Sequence, residues 1–379
     1  MKILYIHQYF RTPEEGGSTR SYELAKSLVE KGHQVIMITT HNQLNEKKSI
    51  DGIKVHYLRI PYQNEFGFFK RIYAFLRFVR RAKREAKKLS GIDLAYVMTT
   101  PLTTGLIALS LKKKLGIPFY FEVGDLWPEA PIQMGVIKST WLIKKLYAFE
   151  KRCYQEAEMV IALSSAIEAY INKVTPETQT HVITNLANCE YFKPLPTENK
   201  IFQIGYFGTF GKANDLGQII RLATYLQNES IPLHFTLMGE GAEEEQFRLA
   251  AKNLKNLKIL PFGNKDEVRN KMEKMDAIYI SYKNIPILNT GSPNKFFDGL
   301  AAGKLIIINF QGWIKALIES EKCGFSHDPE NPASFLEKVT PFLDDQALLK
   351  SFQKNSRRLA ETQFEKKLLT NKLNDILTH

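Results

Sequence analysis

Two series of alternating strands and helices, separated by one break, limit how this 379-residue sequence can fold. Most strand-like runs are apolar on both faces, which is typical of parallel strands covered by helices on both sides. Helical stretches lie between most of these runs, so the pattern predicts two doubly wound α/β domains, each built on a parallel sheet. The predicted strands span 2–7, 34–40, 54–60, 94–100, 119–124, 159–164 and 181–185, then 202–208, 234–239, 257–263, 277–282 and 305–309.

The break between the two series predicts the domain boundary. Residues 188–200 contain two prolines and no hydrophobic period, which indicates a linker. We therefore predict a Rossmann-like domain over 1–187 and a second one over 201–345. A helical tail over 346–379 could pack back on the first domain. Two such domains facing each other would form a central cleft at the carboxyl ends of their strands, where ligands of open α/β sheets bind.

Composition narrows the class of protein. The three cysteines are far apart, which favours neither a disulfide framework nor a zinc site and indicates a reducing compartment. The N-terminus resembles a first strand more than a signal peptide, and no apolar run reaches the roughly 18 residues of a membrane-spanning helix. We therefore expect a cytoplasmic protein.

The net charge is +12, but residues 66–88 alone contain nine basic residues and one acidic residue. One basic segment indicates a local contact rather than nucleic-acid binding.

That basic segment predicts an amphipathic helix. Its apolar stripe has helical spacing and is flanked by Phe69, Tyr73 and Leu76; the stripe consists of Phe68, Ile72, Phe75, Val79, Ala82 and Ala86. Several basic side chains together can hold a protein on an anionic membrane surface, whereas the alternative is a surface helix with its basic side in water. The predicted membrane contacts are Lys70, Arg77, Arg81, Arg84 and Lys88.

Glycine-rich loops follow the first strand of each predicted domain. Gly16 and Gly17 precede a helix, and glycine lets the backbone approach a ligand while a helix N-terminus offers N–H groups to an anion. In the second domain a similar loop contains Thr209 and Lys212, and the lysine could meet a phosphate. Gly239 ends a further strand and starts a helix. Each loop alone is also compatible with an ordinary turn.

A helix start near residue 293 carries charged side chains. Pro293 suits the first turn of a helix, with Ser292 as its cap. Lys295 and Asp298 are three residues apart and so share a face. A helix N-terminus, a lysine and a carboxylate could together bind a diphosphate and ribose hydroxyls, although a capped helix with a surface ion pair is the alternative. Combined with the glycine loops, the arrangement favours a nucleoside diphosphate ligand.

Carboxylates cluster after an apolar strand of the first domain, in the segment EVGDLWPE that begins at Glu122. Carboxylates beside a tryptophan suit general acid/base chemistry or recognition of sugar hydroxyls, because aromatic surroundings can raise a carboxyl pKa. In the alternative interpretation, Asp125 caps a turn and Trp127 belongs to the core.

In this order, the motifs resemble those of retaining glycosyltransferases of family four, which have the GT-B fold. The resemblance covers nearly the whole chain and rests on the blocks GGSTRSYELAKSLVEKGHQVIMIT, ANCEYFKP, TLMGEGAEEEQF, LPFGNKDEV and FFDGLAAGKLIII. EVGDLWPEAPIQMG and GSPNKFFDGLAAGK are most similar to the subgroup that transfers N-acetylfucosamine-type sugars during surface polysaccharide assembly.

The resemblance implies roles for single residues. Gly16 and Gly17 would lie beside the donor phosphate, and Asp298 would bind the donor ribose. The nucleobase would be held by Phe262 and Gly263, and the diphosphate would meet the backbone of Gly291 and Ser292.

Three departures from the family pattern affect the expected chemistry. Thr290 stands where the first glutamate of the family motif would be, and Thr209 and Asn214 replace the usual arginine and lysine. Lys212 and Lys295 could supply the missing positive charge to a leaving diphosphate. The family often has a histidine near Gly124, which is absent here, so either Asp125 or Glu122 is expected to contact the sugar or activate the acceptor.

The function implied by the resemblance is transfer of a sugar from a UDP-sugar to a lipid-linked or oligosaccharide acceptor, with retention. The pathway would be O-antigen, capsule or exopolysaccharide synthesis, at the inner face of the cell membrane. The sequence contains no Asp-x-Asp pair, so no metal and no cofactor are expected. Two alternatives stay open: a GT-B-like nucleotide-sugar epimerase, and a non-catalytic membrane-associated binding protein.

Overall fold

The computed structural model describes residues 1–63, 66–196 and 199–378. It forms two compact units, and each contains one mainly parallel sheet, which confirms the predicted α/β class. The first unit comprises Met1–Thr184, Thr290–Ser292 and Leu369–His379, and the second comprises Asn185–Asn289 and Pro293–Leu368.

The first sheet has eight strands in the order β3-β4-β2-β1-β5-β6-β7-β8. Only β3 is antiparallel to its neighbour, because β3 and β4 form a hairpin at the edge of the sheet. The order of the strands reverses between β1 and β5, and ligands of such sheets bind beyond the carboxyl ends of the strands at this point. The strands are β1 (Lys2–Ile6), β2 (Gln34–His41), β3 (Lys47–Ile50), β4 (Ile53–Arg59), β5 (Leu94–Met98), β6 (Phe119–Val123), β7 (Met159–Ala162) and β8 (Thr180–Val182).

Helices connect the parallel strands of the first unit. They are α1 (Arg20–Glu30), α2 (Phe68–Ala86), α3 (Gly105–Leu115), α4 (Glu129–Gln133), α5 (Thr140–Glu156) and α6 (Ser165–Val174). The end of the chain also belongs to this unit, since the Tyr120 hydroxyl donates a 3.1 Å hydrogen bond to the carbonyl of Ile376.

The second sheet has six parallel strands in the order β11-β10-β9-β12-β13-β14, with its reversal between β9 and β12. Side chains of each strand alternate between two buried clusters: Tyr279 packs in one, and its neighbours Ile278 and Ile280 pack in the other. Both faces of this sheet are therefore buried. The strands are β9 (Phe202–Phe207), β10 (Leu233–Met238), β11 (Leu257–Leu260), β12 (Ala277–Ile280), β13 (Leu305–Ile308) and β14 (Gly324–Ser326).

The other α-helices lie after residue 200. They are α7 (Gly217–Asn228), α8 (Glu244–Ala251), α9 (Lys265–Met272), α10 (Asn294–Ala301), α11 (Trp313–Ser320), α12 (Pro332–Asp344), α13 (Gln346–Leu359) and α14 (Lys366–Thr378). One π-helical turn, Ala360–Phe364, follows α13. All three cysteines are free and buried. Within the described residues, no helix combines the length and apolar character that crossing a membrane requires.

Candidate functional site

The glycine loops that follow β9 and β10 pack backbone against backbone. A Cβ atom on Gly239 would lie only 1.8 Å from the carbonyl oxygen of Gly208, and one on Gly241 only 2.3 Å from that of Phe210. The loops are joined by a 2.7 Å hydrogen bond from the Phe210 amide to the Glu240 carbonyl. Gly239, predicted as a donor contact, is buried and allows this close packing of the loops.

The side chain of Lys295, on the first turn of α10, lies against the same loop. A Cβ atom on Gly208 would lie 2.7 Å from the Lys295 Nζ atom, so glycine makes room for the lysine. The ammonium donates a 2.9 Å hydrogen bond to the Tyr206 hydroxyl and lies 4.0 Å from the centroid of that ring. The Tyr206 hydroxyl in turn donates to the carbonyl of Thr209 over 2.8 Å.

Lys295 therefore lies beside a loop at the carboxyl end of β9. Among the described residues, no carboxylate lies within ion-pair distance of its ammonium. Desolvation by burial lowers the pKa of Lys295 to about 7. A desolvated cation without a counter-charge beside exposed backbone has the properties of an anion-binding site.

Asp298 lies one turn further along α10, on the same face. Burial raises the pKa of its carboxyl group to about 7, although Lys265 opposes this increase. In the described part of the chain no side chain or backbone group donates a hydrogen bond to this carboxylate. The alternative interpretation, a surface ion pair between Lys295 and Asp298, is absent among the described contacts, so both groups can interact with a ligand.

Four further predicted donor contacts lie between strands and helices of the second unit. Phe262 follows β11 with 60% of its surface exposed, and a flat exposed ring suits stacking on a nucleobase. Gly263 is buried, and a Cβ atom there would lie 2.6 Å from the Met238 methyl group. Thr209 and Lys212 are exposed on the loop after β9.

The loop before α10 differs from the sequence prediction. The helix begins at Asn294, its N-cap is Pro293, and no side chain caps it, so the predicted capping role of Ser292 is wrong. Thr290, Gly291 and Ser292 group with the first unit, where the Thr290 carbonyl accepts a 2.7 Å hydrogen bond from the Ser164 hydroxyl. Their contacts to a diphosphate stay predictions.

Glu122, one of the two predicted catalytic carboxylates, lies in the core of the first unit. Its side chain is fully buried, accepts a 2.9 Å hydrogen bond from the Arg20 guanidinium in an ion pair, and accepts another from the Tyr96 hydroxyl. Arg20 also donates to the carbonyls of Ile183 and Thr184. Because Glu122 is buried, its carboxylate is not accessible to a substrate, as general acid/base catalysis requires. Its hydrogen bonds instead join β6 to β5, through Tyr96, and to α1, through Arg20.

Asp125, by contrast, is exposed beyond the carboxyl end of β6. It accepts a 3.4 Å hydrogen bond from the Thr100 hydroxyl, and desolvation by surrounding protein atoms raises its pKa. Thr100 has a φ of 84°, a strained conformation that is found most often at functional positions. Gly16 and Gly17 also have positive φ angles, of 70° and 80°, with open space around them.

Two residues that support these groups were not identified from the sequence. Tyr206 lies inside an apolar strand, and Arg20 lies at the start of the helix that follows Gly17. No local pattern pairs Arg20 with Glu122, which lies 102 residues away. A signal for burial was present, because Glu122 lies inside a strand with apolar residues on both faces. Within the described part of the chain, no group of three or more histidine, cysteine or acidic side chains is arranged to hold a metal ion.

Comparisons with known proteins agree with this arrangement. Residues 15–191 match the model of Glycosyltransferase Family 4, and residues 189–359 match that of Glycosyl transferases group 1. No curated protein sequence matches the chain significantly.

Solved structures resemble the chain over its full length. Sucrose-phosphate synthase from Thermosynechococcus elongatus is 15% identical, with a TM-score of 0.81 over 100% of this chain and 98% of its own. Anabaena HepE, solved with UDP and glucose, is 15% identical with a TM-score of 0.70 over 100% and 99% of the two chains. WaaG, a glycosyltransferase involved in lipopolysaccharide biosynthesis, is 16% identical with a TM-score of 0.70 over 100% of both. At these identities the likeness shows the fold, which is GT-B.

Proposed function

Because the chain carries a family 4 glycosyltransferase domain followed by a group 1 domain, it is a glycosyltransferase with the GT-B fold, and we propose that its donor is a UDP-sugar. The observation that carries this proposal is the pair of Lys295 and Asp298, both partly buried and both without a charged partner among the described residues. The Anabaena protein with the same fold binds UDP and UDP-glucose, which supports the choice of nucleotide.

Each group of the second unit has a task in this proposal. The Lys295 ammonium neutralises the leaving diphosphate, with the N–H groups at the start of α10 assisting it. The Asp298 carboxylate accepts hydrogen bonds from the ribose hydroxyls, and Phe262 stacks on the base. Because the Lys295 ammonium is held against Tyr206 and Gly208, it can stabilise the developing charge without reorganising during the reaction.

The finer parts of the proposal rest on sequence motifs. We propose transfer with retention to a lipid-linked or oligosaccharide acceptor, with an N-acetylated deoxyamino sugar as the transferred group. The first unit receives the acceptor, and Asp125 contacts the sugar or activates the acceptor hydroxyl. The reaction needs no divalent metal, because lysine and helix N–H groups carry the positive charge that a metal supplies elsewhere.

A donor panel tests this function. UDP-, GDP- and dTDP-sugars are compared for thermal stabilisation of the protein, and hits are incubated with a lipid-linked acceptor in excess chelator. We expect UDP compounds to stabilise the protein and a glycosylated product to form with chelator present. Stabilisation by none of the nucleotides would contradict the donor site. A product that is only an epimer of the donor, formed without acceptor, would contradict the transferase reaction.

The exposed side of α2 supports a peripheral location on the cytoplasmic face of an anionic membrane. Its first half exposes apolar side chains, with 85% of Phe69, 67% of Tyr73 and 50% of Leu76 accessible. Four residues of the predicted apolar stripe pack in the core of the first unit instead: Phe75, Val79, Ala82 and Ala86 are buried. Of the predicted membrane contacts, Arg81 is half-buried and the following four are exposed: Lys70, Arg77, Arg84 and Lys88.

Charge reversal on α2 tests membrane docking. A variant with Lys70→Glu, Arg80→Glu and Arg84→Glu should lose most binding to anionic vesicles at low salt, since each basic residue near such a surface is worth about 1 kcal/mol. All three side chains are exposed, so the fold should persist. Co-sedimentation is the measurement.

A control variant carries the same charge change in the second unit. Lys252→Glu, Lys255→Glu and Lys258→Glu alter three exposed lysines far along the chain from α2. This variant should bind vesicles nearly as wild type does. Equal losses in the two variants would mean that net charge, rather than α2, attracts the protein to lipid.

A further inference from the structure

A pocket with three arginines lies between the end of β4 and α2. Its volume is about 440 Å³, and it is lined by Asn45, Arg59, Pro61, Arg77 and Arg81. Arg59 is the last residue of β4, and Arg77 and Arg81 are one turn apart on α2. The pocket belongs entirely to the first unit, and none of the groups assigned to donor binding lines it.

Within the described part of the chain, the arginines of this pocket have no negative partner. None of the described residues that line the pocket is a carboxylate, and none of its three guanidinium groups forms an ion pair with a described residue. Arg81 is held in place, since it donates hydrogen bonds of 2.9 Å to the Arg59 carbonyl and 2.5 Å to the Asn45 side-chain oxygen. Arg59 and Arg77 are exposed, and neither guanidinium group forms a hydrogen bond or an ion pair with a described residue.

Such a cluster suits a phosphate ligand. Guanidinium groups bind phosphate oxygens through paired hydrogen bonds. In addition, three cations that face one pocket repel each other, and a bound anion relieves this repulsion. A single phosphate group offers only a few closely spaced oxygens to three guanidinium groups. A diphosphate spreads its charge and its acceptor oxygens over two phosphorus atoms, so it can accept hydrogen bonds from all three.

The surface next to the pocket indicates that the diphosphate is attached to a lipid. Tyr73 lies one helical turn before Arg77, and with Phe69 it forms the exposed apolar half of α2. A charged pocket beside an exposed aromatic surface matches a molecule with a diphosphate head and a hydrocarbon tail. A free diphosphate would gain nothing from that surface.

We propose that Arg59, Arg77 and Arg81 form a binding site for the diphosphate of a lipid-linked substrate. The inference rests on the proposed function, because it identifies the acceptor class as a lipid diphosphate. It also differs from general membrane docking, since it requires particular arginines and would saturate with a soluble ligand.

Calorimetry with two soluble probes tests the site. Decyl diphosphate, below its micellar concentration, and inorganic diphosphate are titrated into wild type and into two double variants. Arg59→Gln with Arg77→Gln removes two pocket cations whose side chains hold no other element. Lys113→Gln with Lys114→Gln removes two exposed cations of α3, in the same unit, that do not line the pocket and are not predicted membrane contacts.

Wild type should bind decyl diphosphate more tightly than inorganic diphosphate. The pocket variant should bind decyl diphosphate about a hundredfold more weakly, because each charged hydrogen bond lost typically costs roughly tenfold or more in affinity. The control variant should stay within about twofold of wild type, the scale of a screened surface charge. Thermal unfolding shows whether both variants remain folded, and UDP affinity should be unchanged in both.

Two results would overturn the proposal. Equal losses of affinity in both variants would show that only diffuse charge attracts the probe. Equal affinities of wild type for the two diphosphates would show that no lipid is recognised. If instead wild type failed to bind UDP but bound decyl diphosphate as expected, the donor assignment would fail while the pocket assignment held.

Discussion

Replacing Glu122 by alanine should destabilise the first unit by about 3–5 kcal/mol, the usual consequence of leaving one partner of a buried ion pair without its counter-charge. Arg20 is only 4% exposed and would lose its negative partner, while the Tyr96 hydroxyl would lose its acceptor. Urea unfolding measures the loss. Hydrogen exchange of the β5 and β6 amides shows whether the loss of stability lies in the first unit. This second measurement is needed because a chain with two compact units need not unfold in a single step.

Asp125→Ala is the matched control. This variant also removes a carboxylate, three residues further along, but from an exposed position. Its stability should change by less than about 0.5 kcal/mol, as is usual for surface substitutions, whereas its turnover should fall if Asp125 acts on the acceptor. If Glu122→Ala unfolded at the wild-type urea concentration and lost only turnover, Glu122 would be catalytic and its structural role would be wrong.

The strands could be predicted because both faces of each parallel strand are buried, which produces continuous apolar runs. Two strands were missed for a physical reason. β3, with the sequence KKSI, is a mostly exposed edge strand and so has no apolar run, and β14 contains only three residues. Periodicity detects burial, and strands that are exposed or very short leave no such signal.

The candidate site was predictable where it depends on local geometry. The spacing of Lys295 and Asp298 placed both on one face of a helix, and α10 confirms that face. The sequence could not show that Lys295 packs on Tyr206, because that contact joins residues 89 positions apart. The sequence also could not show that Arg59 lines the same pocket as two arginines of α2, because the position of Arg59 depends on how β4 pairs in the sheet.

Lys295→Ala should have the largest effect on the reaction. The ammonium is partly buried beside the loop after β9, so its loss should lower kcat/KM by about two to three orders of magnitude, as loss of a preorganised charge-stabilising group does. UDP affinity should fall by about 1.5–3 kcal/mol through loss of a charged hydrogen bond. Lys252→Ala, which removes an exposed lysine of the same unit, should leave both quantities nearly unchanged.

The pH dependence of UDP binding separates the two groups of α10. Burial lowers the pKa of Lys295 to about 7, and the diphosphate prefers the protonated amine, so affinity should fall as the pH rises above about 7. Burial raises the pKa of Asp298 to about 7, and ribose hydroxyls need the ionised carboxylate, so affinity should also fall below that pH. Lys295→Ala should remove the alkaline decrease, and Asp298→Asn should reduce the acid one. UDP's own titration cancels in the ratio of variant to wild-type affinity. A ratio for Lys295→Ala that is the same at about pH 6.5 and pH 8.5 would show that the Lys295 ammonium does not lose its proton in this range. A ratio near one at both pH values would show that the diphosphate does not depend on this ammonium.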